Sequence, residues 1–378
     1  MKILNIIGAR PQIIKASAVS RIIKSKFSDC IEDIVVHTGQ HYDQNMSSVF
    51  FDELNIPQPQ YNLNIGSTSH GIQTAGMIKG IEEIVLIEKP DYVIVYGDTN
   101  STLAASIASS KLRIPIVHIE AGLRSFNKLM PEEINRILCD HVSTFLFTPT
   151  EQGYKNLMQE GFKENKAPFT IDNPGVFHVG DIMYDNSLYF AKVADKRSSI
   201  LNDNDLLSEE FVLATIHRDH NTDNPERLEA IFTSLIEIAS TYKIKVLLPL
   251  HPRTKKILQN TFNSRINKEI NREKLLLIIP PVSFLDMILL EKNAKLVMTD
   301  SGGVQKEAHF FQKPCIIIRP ETEWIELVNN GTAVLADTNK EIIIKSFEKY
   351  YHSGKLQYPN FYGDGNAAES ICKTILNI

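Results

Sequence analysis

The sequence predicts an α/β protein made of two Rossmann-like domains facing a cleft. Three features predict it: short apolar runs rich in Val and Ile, amphipathic stretches of helical length between them, and 378 residues, too many for one ordinary domain. Runs that are apolar throughout, without alternation, suit strands buried on both faces of a parallel sheet.

In the first series the strands are Ile3–Ile7, Ile34–His37, Tyr92–Tyr96, Ile114–Ile119 and Phe145–Phe147. Helices run from Pro11 to about Ser25, from Thr99 to about Leu112 and from Glu132 to about Val142. Pro11 suits a first helical turn, where its missing N–H costs little. A second series begins near Gly175, with strands at Val212–Ile216, Val246–Pro249, Leu275–Ile279, Leu296–Thr299 and Cys315–Ile318. Its helices are Pro225–Tyr242 behind an Asn224 N-cap, Thr254–Phe262, Phe284–Lys292 and Val304–Phe311. Lys163 to Gly175, with two prolines and several charges, reads as the linker. Domains are therefore expected at 1–172 and 173–360. The remainder, 361–378, is expected to carry a final helix, Ala367–Ile378, that crosses back to the first domain.

Hydrophobic residues make up 43% and charged residues 22%, ordinary for a globular enzyme and enough for two cores. A net charge of -5 gives no general attraction to nucleic acid or to anionic membranes, so an anionic ligand needs a local site. Cys30, Cys139, Cys315 and Cys372 are far apart with no CxxC pair, which disfavours a zinc site or disulfide framework and reads as reduced thiols in the cytosol. The apolar run after Lys2 is too short for a signal peptide, and no stretch reaches the roughly 18 apolar residues of a membrane span.

Polar motifs follow the strands. Gly8-Ala9-Arg10-Pro11-Gln12 places a glycine and an arginine at a strand end before a helix, a phosphate-facing arrangement or an ordinary turn with a surface arginine. It is not GxGxxG, so dinucleotide binding is disfavoured. Asp98, in Gly97-Asp98-Thr99-Asn100, sits where open sheets hold ligands, and is equally a candidate N-cap for the next helix. Glu120, in His118-Ile119-Glu120-Ala121-Gly122, follows another strand in an apolar setting expected to raise its pKa. Glu132, in Pro131-Glu132-Glu133, opens a helix, where an acid also answers the macrodipole. Three acids at three element ends of one domain suit a reaction that removes a proton from one face of a carbon and returns it on the other.

In the second domain His217 and Arg218 end the first strand, placed either to hold a pyrophosphate or as satisfied surface groups. Asp300-Ser301-Gly302-Gly303 opens a helix with Glu307 one turn in. Free backbone N–H groups there can cradle a diphosphate and Glu307 can accept from ribose hydroxyls; the alternative is a tight turn with glycines for packing. His251-Pro252-Arg253 adds basic groups at the same sheet edge. There is no HExxH, His/Cys cluster or P-loop lysine, so neither a metal nor another cofactor is expected.

Taken in order, GARPQ at 8–12, GDTNSTL at 97–103, HIEAGLRS at 118–125, MPEEINR at 130–136, HR at 217–218, HPR at 251–253 and DSGGVQKEA at 300–308 resemble the non-hydrolysing UDP-N-acetylglucosamine 2-epimerases over essentially the whole chain. The resemblance implies a glycosyltransferase-B-like arrangement with the active site in the interdomain cleft, a cytoplasmic homodimer, and surface polysaccharide precursors as the product's use. It implies anti-elimination of UDP to a 2-acetamidoglucal and syn re-addition, interconverting UDP-GlcNAc and UDP-ManNAc. By the same resemblance Asp98, Glu120 and Glu132 are the catalytic acids and His217 assists UDP departure. Arg10, Ser301, Gly302 and Gly303 hold phosphate, Glu307 the ribose and Met287 the uracil. Lys15, Arg218, His251 and Arg253 are supporting basic groups.

The chain departs from the family pattern in three places. Ala9 and Gln12 replace a threonine and a glutamate, and Trp324 stands where a TERPE-like segment has arginine. Both changes resemble the branch acting on UDP-2,3-diacetamido-2,3-dideoxyglucuronic acid. Gln40–Met46 differs from members that use substrate as an allosteric activator. A glycosyltransferase, a hydrolysing epimerase and a UDP-sugar sensor are the competing readings; a sensor has no need of three acids.

Overall fold

The computed structural model describes residues 1–39, 58–66, 68–207, 209–250, 254, 256–258 and 264–376. The chain divides into two compact units, Met1–Asn186 with Asn360–Ile378, and Ser187–Pro359.

The first unit holds a seven-stranded sheet, every neighbouring pair parallel: β1 (Lys2–Ile7), β2 (Glu32–His37), β3 (Tyr61–Asn62), β4 (Tyr92–Tyr96), β5 (Ile116–Ile119), β6 (Phe145–Thr148) and β7 (Gly175–His178). Their spatial order is β3-β2-β1-β4-β5-β6-β7. The second unit repeats the pattern in six parallel strands: β8 (Phe211–Thr215), β9 (Lys245–Pro249), β10 (Leu276–Ile279), β11 (Leu296–Thr299), β12 (Cys315–Ile317) and β13 (Ala333–Leu335). Their order is β10-β9-β8-β11-β12-β13. Both are doubly wound, Rossmann-type sheets, as the uninterrupted apolar runs require. In each, the chain leaves the first strand toward one edge and later resumes on its other side. That creates a switch point, between β1 and β4 and between β8 and β11, where crossovers diverge and ligands bind in such sheets.

The expected boundary at 172/173 is displaced. Gly175–His178 pairs with β6 instead of opening the second domain, and Phe177 stacks on Phe147 with ring centroids 5.5 Å apart. That aromatic contact is what the reading of 163–175 as a linker could not see. The division falls inside the helix Ile182–Arg197. Of the predicted helix Thr254–Phe262 only Thr254 and residues 256–258 are described, and Gln40–Met46 lies outside the described residues.

Each sheet is covered by apolar helix faces. In the first unit Leu4, Ile6, Val93 and Val95 meet Met77 and Ile81 of the helix His70–Glu88 and Ala104 and Ala105 of the helix Asn100–Lys111. In the second, Val246 and Leu248 meet Phe232 and Leu235 of the helix Pro225–Tyr242 and Phe347 of the helix Lys340–His352. Asn224 caps the helix Pro225–Tyr242, accepting from the Arg227 N–H at 3.2 Å. No helix among the described residues is long and apolar enough to cross a membrane.

The last helix, Ala367–Leu376, belongs to the first unit and packs on the helix Arg10–Ile22. Its N-terminal N–H groups, Ala367 and Ala368, donate to the two carboxylate oxygens of Asp185 at 3.1 and 2.8 Å. Burial pushes the Asp185 pKa up to about 6 against the opposing pull of those two donors. Between the unfolded value near ~4 and this raised value, the folded chain holds more protons than the unfolded one. Stability linked to Asp185 is therefore full below about pH 4 and falls, by up to about 3 kcal/mol, as pH rises through 6. Asp185→Asn should flatten that part of the melting-temperature profile between pH 4 and 6, and identical slopes for the two proteins would refute the assignment.

Candidate functional site

The first unit's site residues gather at its switch point. Gly8 follows β1, and a Cβ there would collide with the hydroxyls of Thr38 and Ser101, which hydrogen-bond to each other at 2.8 Å. Only glycine lets the chain turn this close to β4's own exit. The buried Gln12 amide fastens the turn: its oxygen accepts from the Gly8 and Ala9 N–H groups at 2.9 and 3.1 Å. Its nitrogen donates to the Tyr96 carbonyl and the Thr102 hydroxyl, each at 2.9 Å. Arg10, at the start of the helix Arg10–Ile22, is exposed.

Register brings the acids together. Tyr96 of β4 lies opposite Ile119 of β5, so Asp98 and Glu120 each follow the end of adjacent strands. Asp98 does not cap the next helix; Thr99 does, its hydroxyl accepting from the Thr102 N–H at 3.3 Å. The Asp98 carboxylate instead pairs with Arg136, and its carbonyl accepts from Asn135 Nδ2 at 2.8 Å. Glu120 is not in an apolar setting, contrary to expectation: its carboxylate meets the Lys15 ammonium beside Gly97. Lys15 lies in the middle of the helix Arg10–Ile22, a placement that strand-end motifs do not reveal.

The helix Pro131–Val142 separates its two neighbouring glutamates. Glu133 is buried, accepting from the Ser125 and Phe126 N–H groups, both at 2.9 Å, and from Arg136 at 3.0 Å. Burial opposes its charge, but these partners together hold its pKa below the usual range. Glu133 is thus a structural anchor for the loop before the helix, whereas Glu132 is exposed, one turn ahead of the residues that grip Asp98.

The second unit repeats the arrangement at β8 and β11. His217, about half exposed, places Nδ1 2.9 Å from the wholly buried Asp300 carboxylate. Asp300 also accepts from the His217 and Arg218 N–H groups at 3.1 Å and from Asn221 Nδ2 at 3.0 Å. Burial would raise its pKa, but the His217 bond and charge lead the partners that keep it lowered, so Asp300 is a fixed anion. An anion on Nδ1 sets the ring's orientation and leaves Nε2 for chemistry. The linear sequence conceals the partnership of Asp300 with His217, because the two follow different strands.

Ser301 N-caps the helix Gly302–Phe310. Neither Gly302 nor Gly303 has a left-handed backbone, and a Cβ on either would meet no atom closer than 3.5 Å. Packing therefore does not demand these glycines, which removes the packing alternative and leaves the helix N-terminus open to approach. Around it stand Arg319 and Glu323, paired at 3.0 Å, and Trp324, whose Nε1–H donates to the Gly302 carbonyl at 2.9 Å while Lys306 Nζ lies 4.3 Å from its ring centre. Arg218 is exposed and adds positive potential at Glu323. Glu307 lies beside Gly303, and its charge, after burial, holds the wholly buried Glu291 well above the usual carboxyl pKa. Met287, half-buried, is four residues before Glu291 on the helix Phe284–Asn293, hence on the same face. His251 and Arg253 lie outside the described residues.

Comparison with known proteins shows the family. The family model described as UDP-N-acetylglucosamine 2-epimerase matches residues 25–376. A UDP-N-acetylglucosamine 2-epimerase homolog of Methanococcus maripaludis is 48% identical over the full length of both chains. The UDP-2,3-diacetamido-2,3-dideoxy-D-glucuronate 2-epimerase of Pseudomonas aeruginosa is 46% identical, again over both whole chains. The crystal structure of Methanocaldococcus jannaschii UDP-GlcNAc 2-epimerase in complex with UDP-GlcNAc and UDP aligns with a TM-score of 0.83 at 42% identity, covering both chains fully. The chain therefore belongs to the UDP-N-acetylglucosamine 2-epimerase family, isomerases of UDP-linked sugars with the glycosyltransferase-B-like fold.

Proposed function

We propose that this chain interconverts UDP-GlcNAc and UDP-ManNAc without hydrolysing them. The observation that carries the reading is the pairing, after neighbouring strands, of Asp98 with Arg136 and of Glu120 with Lys15: two strand-end carboxylates, each held by a cation. In this reading the second unit holds UDP. The open Ser301–Gly302–Gly303 turn takes the diphosphate, Glu307 the ribose and Met287 the uracil, with Arg10, Arg218, His251 and Arg253 adding positive charge.

The first step removes the C2 proton to a carboxylate as the C1–O bond to UDP breaks. It leaves a C1=C2 double bond, a 2-acetamidoglucal, and UDP as a trianion that keeps the electron pair of the broken C1–O bond, with the proton on the carboxylate. His217, oriented by Asp300, stabilises the charge developing on the departing phosphate. The second step returns UDP to C1 while a second carboxyl delivers a proton to the other face of C2. Elimination is anti and re-addition syn, and Asp98, Glu120 and Glu132 share the proton work. The same reading carries assembly as a homodimer, a cytoplasmic place of work, and use of the product for surface polysaccharide precursors.

A second substrate, UDP-2,3-diacetamido-2,3-dideoxyglucuronic acid, is favoured by the identity with the Pseudomonas enzyme and by Trp324 at the turn. Each nucleotide sugar, incubated alone in deuterium oxide and followed by proton NMR, separates the two. The accepted substrate inverts at C2 and takes up one deuterium there. Net release of free sugar would mark a hydrolysing enzyme, and no exchange without an added acceptor would mark a transferase; either would overturn the reading.

Asp98→Asn, Glu120→Gln and Glu132→Gln should each lower kcat by roughly 100-fold or more, with the UDP dissociation constant within about threefold of the parent. Unchanged turnover in all three would end the catalytic assignment. Because Trp324 is the single tryptophan and touches the Gly302 carbonyl, saturating UDP should shift or quench intrinsic emission. A spectrum that ignores UDP would remove the diphosphate from this turn.

A further inference from the structure

We propose that His118 and Asp140, which touch no solvent, are positioning residues whose bridge fixes the distance between the Asp98 and Glu120 carboxyls. The inference rests on the proposed carboxyl chemistry and goes beyond it.

The bridge runs from the helix Pro131–Val142 to both acid-bearing turns. Asp140 Oδ1 accepts from His118 Nδ1 at 2.6 Å, and His118 Nε2 donates to the Gly97 carbonyl at 2.9 Å, one residue before Asp98. Asp140 Oδ2 accepts from the Gly122 N–H at 3.2 Å, two residues after Glu120. It also accepts from Arg124 Nη2 at 2.8 Å, and Arg124 donates in turn to Glu160 through Nη2 and Nε at 2.6 and 2.7 Å.

Both turns need holding. Gly97, Glu120 and Gly122 all have left-handed backbones, with φ of +60°, +73° and +78°. For a glutamate that conformation is strained and persists only where the surroundings impose it. Gly122 cannot shift toward a side-chain-bearing alternative either, since a Cβ would strike the Gly153 carbonyl. One helix therefore fixes both turns through successive residues: Asn135 and Arg136 bind Asp98, and Asp140 binds Gly122 directly and Gly97 through His118.

Both ring nitrogens of His118 face acceptors, a carboxylate and a carbonyl, so both carry protons and the ring is cationic. Burial opposes that charge, and Cys139 and Asp140 beside the ring outweigh it and raise its pKa well above the ordinary value. A buried ion pair gains little stability over apolar residues of equal volume, whereas a directed pair fixes geometry that apolar contacts leave loose. With neither group exposed, the bridge acts through Asp98 and Glu120 and not on the substrate.

The test compares three proteins by turnover of the accepted UDP-sugar, UDP affinity and crystal structure. His118→Leu severs the bridge and should lower kcat roughly 30-fold or more while KM and the UDP dissociation constant stay within about threefold. Asp140→Asn preserves it, because the amide donates to Nδ1 of a neutral ring whose Nε2–H still reaches Gly97 and the amide oxygen still accepts from Gly122. Its kcat should stay within about threefold of the parent. If His118→Leu does not fold, His118→Gln, whose single donor nitrogen cannot reach both Asp140 and the Gly97 carbonyl as the two ring nitrogens do, should still lose at least about tenfold in kcat. Full turnover in the severed variant, or a loss in kcat matched by an equal loss in UDP affinity, overturns the inference. A parent protein that epimerises no UDP-sugar overturns the proposed function instead. The crystal structure then decides the inference alone: an Asp98 turn unmoved in the severed variant refutes it, and a displaced one supports it.

Discussion

Everything at the proposed site depends on a constraint of chain direction. A parallel sheet that begins with a central strand must send its connections both ways, and the carboxyl ends of the two middle strands are left uncovered where the crossovers part. The chain builds this gap twice, at β1/β4 and β8/β11, and places nearly every motif with a polar signature at one gap or the other. The glycine at position 8 and the Gln12 clasp hold the first turn against the end of β4, while Asp300 gathers two N–H groups, an amide and an imidazole at the second gap. The sheets are otherwise ordinary apolar scaffolds; the proposed chemistry resides where their hydrogen bonding stops.

The two gaps are electrically different. At the first, carboxylates outnumber the cations that hold them, since Asp98 and Glu120 are each paired while Glu132 stands exposed. At the second, a helix N-terminus and the exposed Arg218 stand at an open glycine turn, beside the His217–Asp300 and Arg319–Glu323 pairs.

Strand-end motifs were legible because a parallel strand exposes its sequence signature and its chemistry at one place. Asp98, Glu120, His217 and Ser301 are all singled out that way. Their partners were not, because pairing depends on register and on helix faces that the linear order conceals. Tyr96 opposite Ile119 is what makes two acids separated by more than twenty residues neighbours, and only then does Arg136 reach one and Lys15 the other. For the same reason a strand end surrounded by apolar letters gave the wrong setting for Glu120. The Glu132-Glu133 pair shows the limit at single-residue scale: one letter apart, they differ in burial because a helix rotates by about 100° per residue. The strand Gly175–His178 was assigned to the wrong half because the stacking of Phe177 on Phe147 leaves no local trace in the sequence.

The return of Asn360–Ile378 to the first unit has a consequence for biosynthesis. A chain leaving the ribosome offers its amino-terminal residues first, and domains ordinarily complete themselves in that order. Here the leading half waits for its closing helix until the whole of Ser187–Pro359 has been made, and Asp185 stays without its two helix-end donors until then. The half that emerges earliest is thus the last to be finished, and a truncated nascent chain carries an incomplete copy of the carboxyl-bearing domain.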